Sequence, residues 1–529
     1  MYLTFHFIRR ETMREMFKDV DKSIFGGAAS IYALLFLFII IWPSQAEVAI
    51  TGTLEFTVKR FGWFYLVSFS GVIVVLACLA FGRFGSYKLG RPEDKPDYSF
   101  VSWIGMLFGA GLGVGLVFWG VYEPLIHYIK PPFGEPKTAE AAQIAMRSMY
   151  FHWGLHPWAI YTATGLALAY FRFRHGLDGR ISTSLTRILG EKKANGFAGK
   201  MIDMISVVAI LAGVGTAIGF AASQFSTGLH SQFGLPNNNL TLVVITSIIC
   251  VLATVSAMKG VAKGIKIVSD ANMFIIITLL TLALIFGPTQ YLINIFFESL
   301  GIYLGDLPSL SLFLDAGGQV AERTGGDWVG MWSIKNFAWW TAFAPFVGVF
   351  LADISKGRTI REFILACAIV PSVLCFMWFT CFGGTAIGLI QSGVFSEQVT
   401  ESLLAVPQDS LFVFLRQFPL SQVTIIVAMC LVMTLVVTSV NSATFAMGAM
   451  VSTTKDEPGV AIRGFWGIFM SVNAFLFIWI GGVFTLRSSS LVAALPFMVI
   501  IILMLTSMYK SLRDEEAAQN RAECPTKTE

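Results

Sequence analysis

Two short aromatic stretches carry the clearest chemistry in this chain. The first is His152-Trp-Gly-Leu-His-Pro-Trp-Ala-Ile-Tyr161 and the second is Trp339-Trp-Thr-Ala-Phe343. At 100° per residue Trp153, Trp158 and Tyr161 fall within an arc of about 140° on a helix, so three rings can face one cavity. Trp339, Trp340 and Phe343 can do the same from a second wall. Ring faces attract a cation through their quadrupoles, by ~0.5–2 kcal/mol each and most where water is excluded. A quaternary ammonium or sulfonium head has no N–H to donate, which makes a cage of rings its natural receptor. Interfacial belts use the same residue types, but a double set beside a glycine-broken helix favours the cage.

That helix contains Gly109-Ala-Gly-Leu-Gly-Val-Gly-Leu116. Each glycine costs ~1 kcal/mol against alanine in a helix interior, so four at alternate positions should loosen the backbone. In a bilayer, loosened backbone survives only where protein buries it or a cavity wets it, and a broken helix at mid-depth points to a transporter's binding site. Close helix packing through small residues is the competing reading. A third constellation is Leu435-Val-Val-Thr438-Ser439. Two adjacent hydroxyls can offer oxygen to Na⁺, with loosened carbonyls such as those of Gly109 and Leu112 completing the shell. The same hydroxyls could instead bond carbonyls of their own helix.

The elements that must position these residues are membrane helices. Of 529 residues, 55% are hydrophobic and only 13% charged, and the mean hydropathy is +0.70. Apolar runs of about twenty residues, enough to cross a ~30 Å core, fall near 27–46, 62–82, 100–122, 151–171, 204–225, 239–257, 270–288, 331–352, 363–388, 422–446, 464–485 and 491–509. The sequence thus predicts an all-α polytopic protein of twelve spans. Residues 291–304 are too short to span and read as an interfacial helix within an outer segment, 289–330.

Connections after even-numbered spans are basic, as in Arg83 to Lys95, Arg172 to Lys200 and Lys356 to Arg361. The positive-inside bias therefore predicts cytoplasmic ends, a lead-in at 1–26 and a tail at 510–529. Spans one and two (27–99) read as peripheral. Five spans separate the start of span three from that of span eight, and an odd repeat length forces an inverted second copy. The expectation is two inverted repeats, spans 3–7 (100–288) and 8–12 (331–509), each opening with an interrupted helix. Glycines make the first break and Ala344-Pro345 the second.

These motifs resemble the betaine/carnitine/choline transporter (BCCT) family. The likeness rests on Met106 through Pro124, His152 through Tyr161, Trp339 through Gly348 and Gly357-Arg-Thr-Ile-Arg-Glu-Phe363, in order, over nearly the whole membrane part. It implies a LeuT-type inverted-repeat core in a cell inner membrane, often trimeric. It also implies uptake of a zwitterion with a trimethylammonium or dimethylsulfonium head, such as glycine betaine or dimethylsulfoniopropionate. By resemblance Trp153, Trp158, Tyr161 and Trp340 form the aromatic box, with Trp339 and Phe343 along the way in. Backbone of Ala110, Gly111 and Gly113 meets the substrate carboxylate. Gly109, Leu112, Leu435, Thr438 and Ser439 make the sodium site. Choline-carrier-like members place an Asp within the glycine stretch, and positions 109 to 116 hold no acid. Phe337 and Phe343 stand where the family usually has Trp, Asp353 where it often has Arg, and Asn441 where an Asp is expected.

Other classes fit poorly. No HExxH, GxSxG or GxxxxGK[ST] occurs, and Leu116 occupies the last glycine position of a dinucleotide fingerprint, so the chain reads as neither an enzyme nor a protein with an organic cofactor. The net charge of +4 is accounted for by the inside bias and does not argue for nucleic acid. Alternatives left by the sequence are a sodium-independent exchanger, a proton-coupled carrier and a non-transporting sensor. For protons, Glu123, His127, His152 and His156 are available near span ends. Glu123 is expected to face the outer vestibule, His156 to bond locally, and Asp353 to pair beside the Lys356–Arg358 loop.

Overall fold

A computed structural model describes residues 19–523 except 112, 259–261 and 455–456; the side chains of 108–111, 262–267, 480–487, 489 and 522–523 are outside the description. The expected lead-in is therefore seen only from residue 19. Among the described residues the chain is helical, with two isolated bridges, Val20 to Ser452 and Lys88 to Thr359.

Among the described residues nine helices are long and apolar enough to cross a membrane, including Lys22–Ile41, Pro43–Phe81, Phe197–Phe233 and Ser421–Val451. Measured against the twelve expected spans, the third, fourth and eighth are outside these nine, and those three carry the aromatic and glycine motifs. The reason is physical. The third divides into Phe100–Gly111 and Val114–Trp119, the fourth into Ala139–Trp153 and Leu155–Ala169, and the eighth is Lys335–Asp353, rich in Trp and Phe and led by a lysine. The last two apolar runs, Val460–Trp479 and Ser490–Arg521, lie in one helical run, Val460–Glu523.

Several boundaries follow from local chemistry. Asp21 caps the first helix by accepting from the N–H groups of Ser23 and Ile24. Pro43 has no N–H to continue that helix and sits at the start of the next, which extends far upstream of the expected 62. Thr359 and Glu362 form a reciprocal capping box at Ile360. The segment expected at the interface is a helix, Thr289–Leu312, longer than expected and containing Pro308.

Pro345 does not break its helix. Lys335–Asp353 is α-helical throughout, preceded by a π turn at Val329–Ile334. Within a helical bundle, neighbouring groups tolerate a proline that would stop a solvated helix. Here the neighbour is very close: a Cβ added at Gly348 would lie 2.5 Å from Thr164 Cγ2 and 3.2 Å from the Gly165 nitrogen. Two glycines thus let Leu155–Ala169 and Lys335–Asp353 meet backbone to backbone, which sets Tyr161 against Trp340.

Candidate substrate site

The third span does come apart around Gly113. Helix Phe100–Gly111 ends, and Gly113 is extended (φ −90°, ψ 176°) before helix Val114–Trp119 begins. Leu112 lies outside the described residues, so the role expected of it falls there, while Gly109, Ala110 and Gly111 are the last residues of helix Phe100–Gly111. A second break sits at Gly154, between Trp153 and the helix that carries Trp158 and Tyr161. A Cβ at Gly154 would lie 2.3 Å from the Tyr150 carbonyl and 2.4 Å from Phe376, so only glycine fits that turn.

These breaks surround a cavity of about 30 Å³ whose wall includes Gly113, Gly115, Trp153, Tyr161, Trp339 and Trp340. Phe343 and Ser439 also reach it. This volume admits water but no organic solute, so the rings must separate for a larger molecule to enter. Gly113 faces open space, whereas a Cβ on Gly115 would lie 2.2 Å from Trp339.

The rings converge on Trp340. Tyr161, Trp153 and Trp158 place their centroids 5.1, 5.5 and 5.7 Å from it, at tilted or edge-on angles. Trp339 packs edge-on against Phe343 at 5.5 Å and Trp153 at 6.1 Å. Trp158 is fully buried and stands behind Tyr161 and Trp340, away from the cavity wall. All six aromatic residues singled out from the sequence are therefore in one cluster. Phe337 belongs elsewhere: it stacks on Phe69 at 4.3 Å and on His156 at 5.5 Å.

Residues not anticipated complete the wall. Ala217, on Phe197–Phe233, lines the cavity, and Phe220 of that helix packs edge-on against Trp339 at 5.6 Å. The available signal was the run Gly213-Val-Gly-Thr-Ala-Ile-Gly219: a Cβ at Gly213 would lie 3.2 Å from both the Ala342 carbonyl and Phe343, so small residues admit the facing helix.

Glu123 departs from expectation. It is buried, 1% exposed, and does not face a vestibule. Trp153 Nε1 donates to its Oε2 at 2.9 Å, His152 Nδ1 contacts Oε1 at 2.9 Å and Asn336 Nδ2 donates to Oε1 at 3.4 Å. His127 Nε2 stands 3.9 Å from Oε1. Glu123, His127 and His152 bring their ligand atoms within 4.8 Å of one another, a spacing suited to a metal. However, Trp328 donates to His127 Nδ1 at 3.2 Å, which leaves the proton on Nε2 and makes that nitrogen a donor rather than a ligand. His156, expected to bond locally, instead meets Ser311, on helix Thr289–Leu312, through its Nε2 at 2.9 Å.

On Ser421–Val451, the Leu435 carbonyl accepts from both Thr438 Oγ1 and Ser439 Oγ at 2.9 Å. Thr438 also reaches the Thr434 carbonyl at 3.1 Å. Both hydroxyls and Leu435 are buried, and Ser439 touches the cavity. Asn441 donates to Ser256 at 2.9 Å. Asp353 pairs with Arg172, beyond the fourth span, rather than with its own loop; in that loop Arg358 lies over Trp103 at 4.6 Å.

Comparison with known proteins bears on this arrangement directly. The model of the betaine/carnitine/choline transporter family, BCCT, matches residues 23–517. The chain belongs to this family. The protein is accordingly a multi-pass membrane transporter and not an enzyme. The transporter is 39% identical over 511 residues to the glycine betaine transporter OpuD of Bacillus subtilis, covering 96% of this chain and 97% of that one. A probable glycine betaine transporter of Desulfitobacterium hafniense is 36% identical over 492 residues, 92% of this chain and 97% of its own. An ectoine/hydroxyectoine transporter of Virgibacillus pantothenticus is 34% identical over 500 residues, 94% and 97% of the two chains.

Proposed function

We propose that this transporter imports a zwitterionic onium compound, glycine betaine or dimethylsulfoniopropionate, by sodium-coupled alternating access. The observation that carries the reading is the convergence of Trp153 and Tyr161 on Trp340 within 5.5 Å at the wall of one cavity, with Trp158 packed behind them. Rings at such spacing present several faces to one methylated cation, each worth ~0.5–2 kcal/mol when desolvated. The names of the Bacillus and Desulfitobacterium relatives support glycine betaine. The substrate carboxylate meets Gly113 and the neighbouring backbone, where no side chain intervenes. The indole N–H of Trp340, buried with no acceptor among the described residues, is a second donor for it.

Sodium would bind at Thr438, Ser439 and the Leu435 carbonyl with carbonyls of the broken third span. One Na⁺ crossing ~100 mV contributes ~2.3 kcal/mol and a tenfold gradient ~1.4 kcal/mol, enough together for accumulation of several hundredfold. The proposed frame is twelve spans in two inverted five-span repeats, 3–7 and 8–12, in a trimer in the cell inner membrane with both ends cytoplasmic. Sodium-independent exchange is the second reading, favoured by the bonds that engage both hydroxyls within their own helix.

Calorimetry on the purified protein tests the substrate. Glycine betaine or dimethylsulfoniopropionate should bind the wild type, and Trp340→Ala should weaken the better ligand by about tenfold or more. Absence of binding by both compounds would exclude the onium assignment.

A further inference from the structure

The carboxylate of Glu123 lies behind the cage, on the far side of an indole from the cavity. Trp153 turns its ring toward the cavity and its N–H toward Glu123 Oε2 at 2.9 Å. The other oxygen faces His152 Nδ1 at 2.9 Å, Asn336 Nδ2 at 3.4 Å and His127 Nε2 at 3.9 Å. Trp153 and Asn336 offer donors here, and the Trp328 bond to Nδ1 of His127 makes its Nε2 a donor too. His152 completes the set, with Nδ1–H donating to Glu123 and Nε2 bonded to Ser333 at 2.9 Å. An ionised carboxylate accepts from Trp153, His152 and Asn336 at once, with His127 Nε2 nearby at 3.9 Å but beyond hydrogen-bond distance.

We propose that Glu123 is a specificity-determining positioning residue: its buried negative charge, passed through the indole N–H of Trp153, fixes that ring and makes its face a stronger receptor for a cationic head. This rests on the onium reading of the cage. A hydrogen bond to an anion pushes electron density from N–H into the ring, and the quadrupole attraction depends on that density. In addition the charge acts directly across a site that excludes water, where Coulomb attraction is weakly screened. It orients a zwitterion as well, with its cationic end toward Trp153 and its carboxylate toward Gly113. Glu123 touches no substrate itself.

Glu123→Gln isolates the charge. The amide oxygen can still accept from Trp153, and its NH₂ is accommodated once His152 shifts its proton to Nε2 and donates to Ser333 and the Asn336 amide turns its oxygen toward the new NH₂. The probes are glycine betaine and 3,3-dimethylbutanoate, its isostere with an uncharged tert-butyl head, compared by inhibition of radiolabelled betaine uptake into proteoliposomes. In the wild type betaine should be preferred by about a hundredfold or more. In Glu123→Gln that preference should fall by about tenfold, with the loss expressed in KM more than in maximal rate. Trp153→Phe, which removes the N–H, should make the effect of the Gln substitution clearly smaller in the double variant, leaving only the direct Coulomb part.

A merely structural role would weaken both compounds equally, and that outcome, or an unchanged preference, overturns the proposal. Additive effects in the double variant overturn it too. If Glu123→Gln does not fold, the proposal is read from Trp153→Phe alone, which must narrow the preference by a comparable factor; an unchanged preference there overturns it. Wild-type indifference between betaine and the isostere would instead remove the onium reading itself.

Discussion

The indole of Trp153 joins two environments: its ring faces the cavity with Trp339 and Trp340, and its N–H donates to buried Glu123 at 2.9 Å. The cavity wall is thus tied to a buried carboxyl group. Gly154, directly after Trp153, breaks the helix so that this residue and Tyr161 reach the same cavity from two helical segments.

Gly115→Ala should weaken substrate binding by moving Trp339. The new Cβ would lie 2.2 Å from Cη2 of that ring, and overpacking of this kind costs ~1–3 kcal/mol. Uptake kinetics should show a KM raised by about tenfold, while Gly301→Ala, whose Cβ meets nothing, leaves it alone. Equal kinetics for the two variants would show that Trp339 has room to yield.

Thr438→Val, close in shape but without the hydroxyl, tests the sodium site. Under the proposal the Na⁺ concentration for half-maximal uptake rises by about tenfold or more. Should the hydroxyl serve only the carbonyls of Thr434 and Leu435, Na⁺ dependence stays where it was and only thermal stability changes, by about 1 kcal/mol.

Breaking the Arg172–Asp353 pair should matter to transport more than to stability. Both side chains are partly exposed, 32% and 22%, and such pairs contribute ~0–1 kcal/mol. Asp353→Asn should therefore melt within a few degrees of the wild type in detergent, yet alter the ratio of uptake to betaine efflux. The charge-swapped double variant Arg172→Asp with Asp353→Arg should restore that ratio. No recovery would mean that the two residues act separately.

Asp21 provides a pH test of how the first helix is anchored. Burial raises its pKa, but hydrogen bonds from Lys200 and the N–H groups of Ser23 and Ile24 outweigh this and hold it below the ordinary 3.8. A lowered folded pKa contributes stability above the unfolded value and loses it as pH falls through the folded one. Asp21→Asn, which keeps the cap, should melt below the wild type at neutral pH, and the gap should narrow below about pH 4. A gap independent of pH would contradict the ion pair with Lys200 at 2.9 Å.

Much of the cage was legible because Trp and Tyr at helical spacing declare a common face. What the spacing did not reveal is depth: Trp158 shares the arc with Trp153 and Tyr161 yet packs behind them. The Glu123 network was illegible because its partners Trp153, His152 and Asn336 stand 30, 29 and 213 residues away, and a Glu-Pro at a span end reads as solvent-facing. Pro345 misled in the opposite sense. Proline breaks helices in water, while Lys335–Asp353 is held continuous by its neighbours. Gly154, by contrast, was read as one member of an aromatic motif, although it is the residue that divides the fourth span.

The most direct test of the account is uptake of radiolabelled glycine betaine into proteoliposomes of the wild-type protein, with and without an inward Na⁺ gradient. The account predicts accumulation above the external concentration only with the gradient. Equal uptake in both conditions would contradict sodium coupling, and no uptake in either would contradict the assignment of glycine betaine to this cage.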